Sequence, residues 1–126
     1  MYIEENVNPK KKKTGDCVIR AVTKATGQDW HKVFFELCKL GDSMCEMPNS
    51  TNVVEQYLKQ FGFIRVSYKV RRGDKRPTVK SFCRDHPKGV YVLRVANHEV
   101  CAINGNYYDI WDCGDCAVYS WLEKVK

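Results

Sequence analysis

The sequence contains no apolar run that approaches the roughly 18–20 residues of a membrane-spanning helix. It also lacks the hydrophobic core of a signal peptide, because the segment from Met1 to Asn6 is polar and acidic. Internal repeats and long linkers are absent as well. These absences argue against a membrane protein, a secreted protein and a repeat array, and they make a cytoplasmic location the expectation.

The chain is long enough for one domain with a real core, since 44% of its 126 residues are hydrophobic. Its formal charge is +6, but Lys10 to Lys13 form a single run, and without them the balance is 6 − 4 = +2. The basic character is therefore local. We expect an extended basic N-terminal segment over residues 1–13 and a single domain over residues 14–126.

Seven cysteines are many for a chain of this length. Without an export signal they are expected to stay reduced, and most of them to pack as small apolar residues. A nucleophile or a metal site among them needs separate support from neighbouring residues.

Hydrophobic periodicity changes from helical to alternating near the middle of the chain. Helical spacing and capping residues predict helices over 14–27, 29–40, 51–60 and 78–85, the first of them capped by Thr14 or Asp16. Alternation predicts strands over 64–70, 90–95, 98–103, 107–111 and 117–122. Helices followed by an antiparallel sheet indicate an α+β domain, with N-terminal helices packed on a C-terminal sheet.

Cys17 is the cysteine best placed for chemistry, because it stands at the start of the first predicted helix. Unpaired backbone N–H groups and the helix dipole favour an anion there, which lowers the pKa of a thiol. The same N–H groups can hold the oxyanion of a tetrahedral intermediate, and Gly15 allows a substrate backbone to approach.

His98 is the candidate general base. It opens the strand that leads into Asn104-Gly105, a strong two-residue hairpin signal. An imidazole titrates near neutral pH, so it can take a proton from a thiol and later give one to a leaving group.

The register of this hairpin suggests a third member. If Asn104 and Gly105 form the turn, Ile103 faces Asn106, and Asp109 lies diagonal to His98 on the same face of the sheet. Its carboxylate can then orient the imidazole. A three-residue loop with a bulge would place Asp112 there instead.

These residues resemble the papain-like cysteine peptidases. Gly15-Asp16-Cys17 is similar to their Gly-Ser-Cys, and Asn97-His98 to the start of their histidine strand. Asp109-Ile110-Trp111 is similar to their Asn-Ser-Trp, whose tryptophan shields the contact between the Asn and the His. At about half the usual papain length, the chain resembles the minimal bacterial and phage versions of the fold.

The resemblance implies a thiol protease or amidase that acts on a peptide or protein through a Cys17–His98–Asp109 triad, without a cofactor or a metal. The family places an oxyanion-donating glutamine six residues before the nucleophile, where this chain has Lys11. Lys11 or Asn8 is therefore the expected donor, together with the Cys17 N–H and a neighbour such as Asp16.

Three other interpretations compete with this one. Cys113 and Cys116 form a C-x-x-C, for which Cys101 and His98 are the nearest further zinc ligands. The lysine run and the basic turn at 71–76 can bind phosphate backbone, although no aromatic residues interleave with these charges. An inactive binding module on a papain-like scaffold would retain the fold without turnover.

Overall fold

A computed structural model describes all residues, 1–126, as an α+β fold with four helices and one six-stranded, mostly antiparallel sheet. The helices are α1 (Cys17–Thr26), α2 (Trp30–Met44), α3 (Thr51–Lys59) and α4 (Val79–Asp85). The strands are β1 (Tyr2–Glu4), β2 (Phe63–Ser67), β3 (Val90–Val95), β4 (His98–Ile103), β5 (Asn106–Asp109) and β6 (Ser120–Lys124), in the sheet order β1-β5-β4-β3-β6-β2. None of the helices combines the length and the apolar character that a membrane crossing requires.

The sheet is covered on both faces, because its strands alternate between two hydrophobic clusters. Val92, Cys101 and Leu122 pack with α1, α2 and α3. The intervening residues, such as Leu93 and Val100, pack with α4 on the other face. Burial on both faces fixes the register of β3 and β4, and therefore the position of every side chain at their ends.

The helix predictions are confirmed in number and order, with two differences at their ends. α2 continues through Gly41 to Met44, beyond the predicted end at residue 40, and the loop that follows it packs closely against Gly41. A Cβ at Gly41 would lie 2.7 Å from the Glu46 carbonyl oxygen. Asp16 occupies the N-cap position of α1, as one of the two predicted residues, but its side chain makes no capping hydrogen bond.

The N-terminal segment is attached to the sheet along its first residues. Tyr2 to Glu4 form β1, which pairs in parallel with β5 at the edge of the sheet. The rings of Tyr2 and Tyr107 lie 5.5 Å apart, and the Met1 amine donates to the Gly105 carbonyl at 2.8 Å. The lysine run that follows dominates the composition of this segment and obscures its short apolar strand.

The hairpin register follows the prediction. Asn104 and Gly105 both have positive φ, and Ile103 pairs with Asn106. A second tight turn at residues 96–97 pairs Val95 with His98. Because β4 and β5 are antiparallel, the first residue of β4 and the last residue of β5 lie at the same end of the sheet. β5 ends at Asp109, two residues before its predicted end.

Candidate functional site

Cys17 and His98 share a pocket of about 250 Å³ where the start of α1 meets the start of β4. Cys17 is the first residue of α1 and is partly exposed. The His98 imidazole and the backbone N–H of Glu99 both lie close enough to this thiol to lower its pKa. The first residue of one helix and the first residue of one strand are thereby brought into contact across 81 positions of sequence.

The other side of the His98 ring is bound by Asp109. His98 Nε2 pairs with Asp109 Oδ2, which leaves Nδ1 as the ring nitrogen available to Cys17. Asp112, the alternative third member, is not at the ring. It accepts hydrogen bonds from the Tyr107 hydroxyl and, at 2.9 Å, from the Gly114 N–H. Trp111 lies over His98, with ring centroids 5.0 Å apart.

Arg20 is a member of this network that the sequence analysis missed. It is buried, and its guanidinium bridges Asp16 Oδ1 and Asp109 Oδ1 at 2.9 Å each. Asp16 Oδ2 in turn accepts from the Asn8 amide and from the Trp30 indole, both at 3.1 Å. The sequence indicated this ion pair only through the i, i+4 spacing of Asp16 and Arg20 on a helix whose face is otherwise apolar.

Charges of opposite sign therefore alternate from Asp16 through Arg20, Asp109 and His98 to Cys17. Burial alone would lower the pKa of His98, but its bonds to Asp109, Cys113 and Cys17 outweigh burial and raise this pKa well above its ordinary value. Burial would raise the pKa of Cys17, but His98 and the Glu99 N–H outweigh it, so this pKa is lowered. The arrangement favours a thiolate beside an imidazolium.

The carboxylate behind His98 is held in its ionised form. Burial would raise the pKa of Asp109, yet the hydrogen bonds from His98 and Arg20 lower it. Both carboxylate oxygens are occupied: Oδ1 also accepts the Ile110 N–H at 2.8 Å. A carboxylate fixed on both sides can hold the imidazole in one orientation and one tautomer.

Cys113 is a second thiol at the same imidazole. Its sulfur lies 3.5 Å from Asp109 Oδ2 and interacts with His98, but the residue is completely buried. Burial raises the pKa of Cys113 despite the neighbouring ring. A potential ligand atom from each of His98, Asp109 and Cys113 lies within 4.8 Å of the others.

The four zinc ligands suggested by the sequence are not assembled. Cys113 belongs to the cluster with His98, whereas Cys101 is buried in the core beneath α1, and Cys116 lies outside the cluster. Cys113 and Cys116 instead close a turn in which the Cys116 N–H donates to the Cys113 carbonyl at 3.0 Å.

Neither of the predicted oxyanion donors lines the pocket. The Lys11 ammonium is exposed and donates to the Asn6 carbonyl at 2.8 Å. The Asn8 amide is buried against Asp16 at 3.1 Å. Lys11 has a positive φ of 54°, so the chain turns at this residue and carries its side chain back along the N-terminal segment.

Asn49 and Glu99 line the pocket, although the sequence analysis singled out neither. Asn49 lies in the loop before α3 and is exposed. Glu99 is 5% exposed, with Arg94 Nη1 at 3.8 Å from Oε1 and no partner for Oε2. The sequence did not indicate that Asn49 and Glu99 line a pocket, because asparagines in loops and glutamates in strands are common on protein surfaces.

Comparisons of the chain with protein-family models, with curated proteins and with solved structures found no match.

Proposed function

We propose that the protein is a small papain-like cysteine hydrolase that cleaves an amide bond in a peptide or protein. The observation that carries this proposal is the position of His98 between two groups. One ring nitrogen binds the ionised Asp109, and the other faces the Cys17 thiol at the wall of an open pocket. A nucleophile, a base in contact with it and a third group that orients the base are what covalent acyl transfer requires.

In the first half of the reaction, the Cys17 thiolate attacks the carbonyl carbon of the substrate, and the carbonyl oxygen becomes an oxyanion. His98 then donates its Nδ1 proton to the departing amine as the carbon–nitrogen bond breaks. A thioester on Cys17 remains. Because Asp109 holds Nε2, the ring keeps one orientation while the proton leaves Nδ1.

In the second half, His98 accepts a proton from water, and the resulting hydroxide attacks the thioester carbon. Collapse of the second tetrahedral intermediate breaks the carbon–sulfur bond, restores the Cys17 thiolate and releases a carboxylic acid. The proton that His98 takes from water balances the one given to the amine. Water reaches this point through the pocket that the substrate entered.

Stabilisation of the oxyanion is assigned to the start of α1. The first intrahelical bond runs from the Arg20 N–H to the Asp16 carbonyl, so the N–H groups of the three preceding residues have no partner within the helix. The N–H of Cys17 is the closest of these to the sulfur. Asn49, which lines the pocket, is the second donor that we propose in place of Lys11 and Asn8.

The proposal is tested by incubating the protein with a mixed peptide library in water enriched in ¹⁸O. Hydrolysis adds one labelled oxygen to each new carboxyl terminus, and the acyl intermediate adds the acyl mass to the tryptic peptide 14–20, which contains Cys17. Cys17→Ser is the inactive control. Labelled products from wild type but not from Cys17→Ser support the hydrolase; equal products from both variants contradict it.

A binding module on the same scaffold is the second candidate. The engagement of Lys11 and Asn8 in other contacts favours it, because a site with one oxyanion donor would retain a reactive thiol but turn over slowly. Peptide binding without any labelled product would support this module. Loss of turnover in Asn49→Ala, with alkylation of Cys17 unchanged, would support the hydrolase instead.

A further inference from the structure

The positive charge of the chain is concentrated in two segments. Lys10 to Lys13 carry +4, and the loop over residues 69–76 also carries +4, from five lysine and arginine residues and one aspartate. The rest of the chain therefore has a balance of 6 − 4 − 4 = −2. Neither segment takes part in the proposed hydrolase chemistry.

The loop over residues 69–76 is tied at both ends to Tyr119, the residue before β6. The Tyr68 N–H donates to the Tyr119 carbonyl at 3.3 Å, and Arg76 Nη1 donates to the same carbonyl at 3.4 Å. The Arg76 guanidinium also lies over the Tyr119 ring, 4.6 Å from its centroid. The loop is therefore held against the end of the sheet at which β6 begins.

Tyr119 also connects this loop to the pocket that contains Cys17. The Tyr119 N–H donates to the Arg94 carbonyl at 2.9 Å, and Arg94 lines the pocket together with Cys17. The Arg94 side chain is 44% exposed, and its Nη1 lies 3.8 Å from Glu99 Oε1, which is too far for a hydrogen bond. Its guanidinium can therefore still bind a carboxylate that arrives from solution.

The loop, Tyr119 and Arg94 form one continuous region, the basic surface, which begins at the pocket. Asp74, the single acid of the loop, accepts the Arg71 N–H at 3.3 Å and closes a turn, so positive charge remains in excess. The members of the basic surface are Arg71, Arg72, Lys75, Arg76, Arg94 and Tyr119.

The chemistry of the basic surface fits an acidic peptide. Most of its cations are guanidinium groups, which bind a carboxylate through two parallel hydrogen bonds. A single-stranded nucleic acid would need free aromatic rings for its bases, whereas the Tyr119 ring lies under the Arg76 guanidinium. Because Arg94 also lines the pocket of Cys17, a peptide that occupies this pocket can extend over the basic surface.

We propose that the basic surface binds an acidic segment of the peptide or protein substrate, so that glutamate and aspartate residues select the bond that Cys17 attacks. This inference rests on the proposed hydrolase function and names its substrate class. The strands β4, β3, β6 and β2 are neighbours, so three strand spacings, roughly 14 Å, separate His98 from the start of the loop after β2. An extended peptide spans this distance with about four residues, which places the acidic residues roughly two to six positions from the cleaved bond, on one side of it.

The first test measures binding in Cys17→Ala, where no reaction takes place. A fluorescent peptide of glutamates, a peptide of glutamines of the same length and a short single-stranded DNA are compared by fluorescence anisotropy at low salt. We expect the glutamate peptide to bind at least about tenfold more tightly than the glutamine peptide, and its affinity to fall as salt is added. Equal affinity for the two peptides, or tighter binding of the DNA than of the glutamate peptide, overturns the inference.

Two double variants with the same change of charge locate the binding. Arg71→Gln with Arg72→Gln removes two exposed cations of the basic surface, and we expect the glutamate peptide to bind about tenfold more weakly. Lys10→Gln with Lys12→Gln is the matched control, because it removes two exposed cations from the other basic segment, and it should change the affinity by less than about twofold. Equal losses in both double variants, or no loss in either, contradict the assignment.

Turnover separates this inference from the hydrolase proposal. When the wild-type protein cleaves a peptide library in water enriched in ¹⁸O, acidic residues should be enriched roughly two to six positions from the cleaved bonds, on one side only. The double variant at Arg71 and Arg72 should lose this enrichment. Cleavage without the enrichment in wild type overturns the inference and leaves the hydrolase intact. Binding of the glutamate peptide without any labelled product supports the basic surface and contradicts the hydrolase.

Discussion

Cys17 and Cys113 both lie beside the imidazole of His98, yet the pKa of Cys17 is lowered and the pKa of Cys113 is raised. Cys17 is partly exposed at the start of α1, and the contacts of its sulfur with His98 and the Glu99 N–H lower its pKa. Cys113 is fully buried behind the ring, and burial raises its pKa. The comparison teaches that an imidazole alone does not make a nucleophile: access to solvent and hydrogen-bond donors to the sulfur decide which thiol ionises.

The largest expected effect is a loss of catalytic turnover that occurs when Cys17 is replaced but not when Cys113 is replaced. Cys17→Ala removes the nucleophile, so we expect peptide hydrolysis to fall by at least about a thousandfold. Its free energy of unfolding should change little, because the residue is partly exposed. Cys113→Ala should keep turnover within a few-fold but lower the free energy of unfolding by about 1 to 2 kcal/mol, because it leaves a small cavity. Chemical denaturation and product formation measure both quantities; reversed roles of the two variants would contradict the assignment.

The next effect concerns the ion network that holds Asp109. Arg20→Gln removes the cation that the buried carboxylates of Asp16 and Asp109 share, and we expect it to lower the free energy of unfolding at pH 7 by about 3 to 5 kcal/mol. The lowered pKa of Asp109 contributes stability that is present above its ordinary pKa and is lost as the pH falls through the folded-state value. The deficit of the variant should therefore shrink in acid. A loss below about 1 kcal/mol at pH 7 would show that the network contributes little.

His98→Ala should remove the main partner that lowers the pKa of Cys17. Without the imidazolium, the pKa of Cys17 rises, and we expect its alkylation by iodoacetamide near pH 6 to slow by about a hundredfold. Exposed Cys45, on the tryptic peptide 40–59, lies outside the site and is the internal control. Equal slowing of Cys45 would indicate a general effect on folding rather than the loss of a partner.

The smallest expected effect comes from Glu99, whose charge opposes a thiolate on Cys17. Burial raises the pKa of Glu99 to about 7, against the opposing influence of Arg94, Arg65 and His98. Its stabilising contribution is thus present below its ordinary pKa near 4.5 and is lost as the pH rises through about 7.

Glu99→Gln should consequently raise the free energy of unfolding at pH 8 by about 1 to 3 kcal/mol, with no gain near pH 4. It should also lower the pKa of Cys17, because a negative charge near the sulfur is removed. Denaturation at the two pH values and the pH dependence of alkylation measure these changes. Lower stability at pH 8 would mean that the ionised carboxylate is a favourable partner of Arg94.

The sequence was informative where the signals are local. The helix start at Cys17 and the Asn104-Gly105 turn each depend on a few adjacent residues, and together they predicted that His98 and Asp109 would share one face. The α+β class followed from the change of hydrophobic period. These local signals do not determine which end of the sheet the start of α1 reaches. The proximity of Cys17 and His98 is therefore seen only in the assembled fold.

What the sequence did not reveal depends on contacts between distant segments. Arg20 meets Asp109 across 89 positions, and Cys113 reaches the same carboxylate from a loop that was interpreted as packing or a zinc knuckle. β1 was missed because it gains its partner only from the open edge of β5. Lys11 was chosen by its distance from Cys17 in sequence, but the turn at this residue carries its side chain away.

The pH dependence of alkylation in the wild-type protein tests the thiolate–imidazolium pair most directly, because the rate at Cys17 reports its thiolate fraction at each pH. If Cys17 is a thiolate paired with an imidazolium, its rate should stay near its maximum as the pH falls from 8 to about 6. A rate that falls about tenfold per pH unit over this range would contradict the pair, since Cys17 would then be an ordinary thiol at the start of a helix.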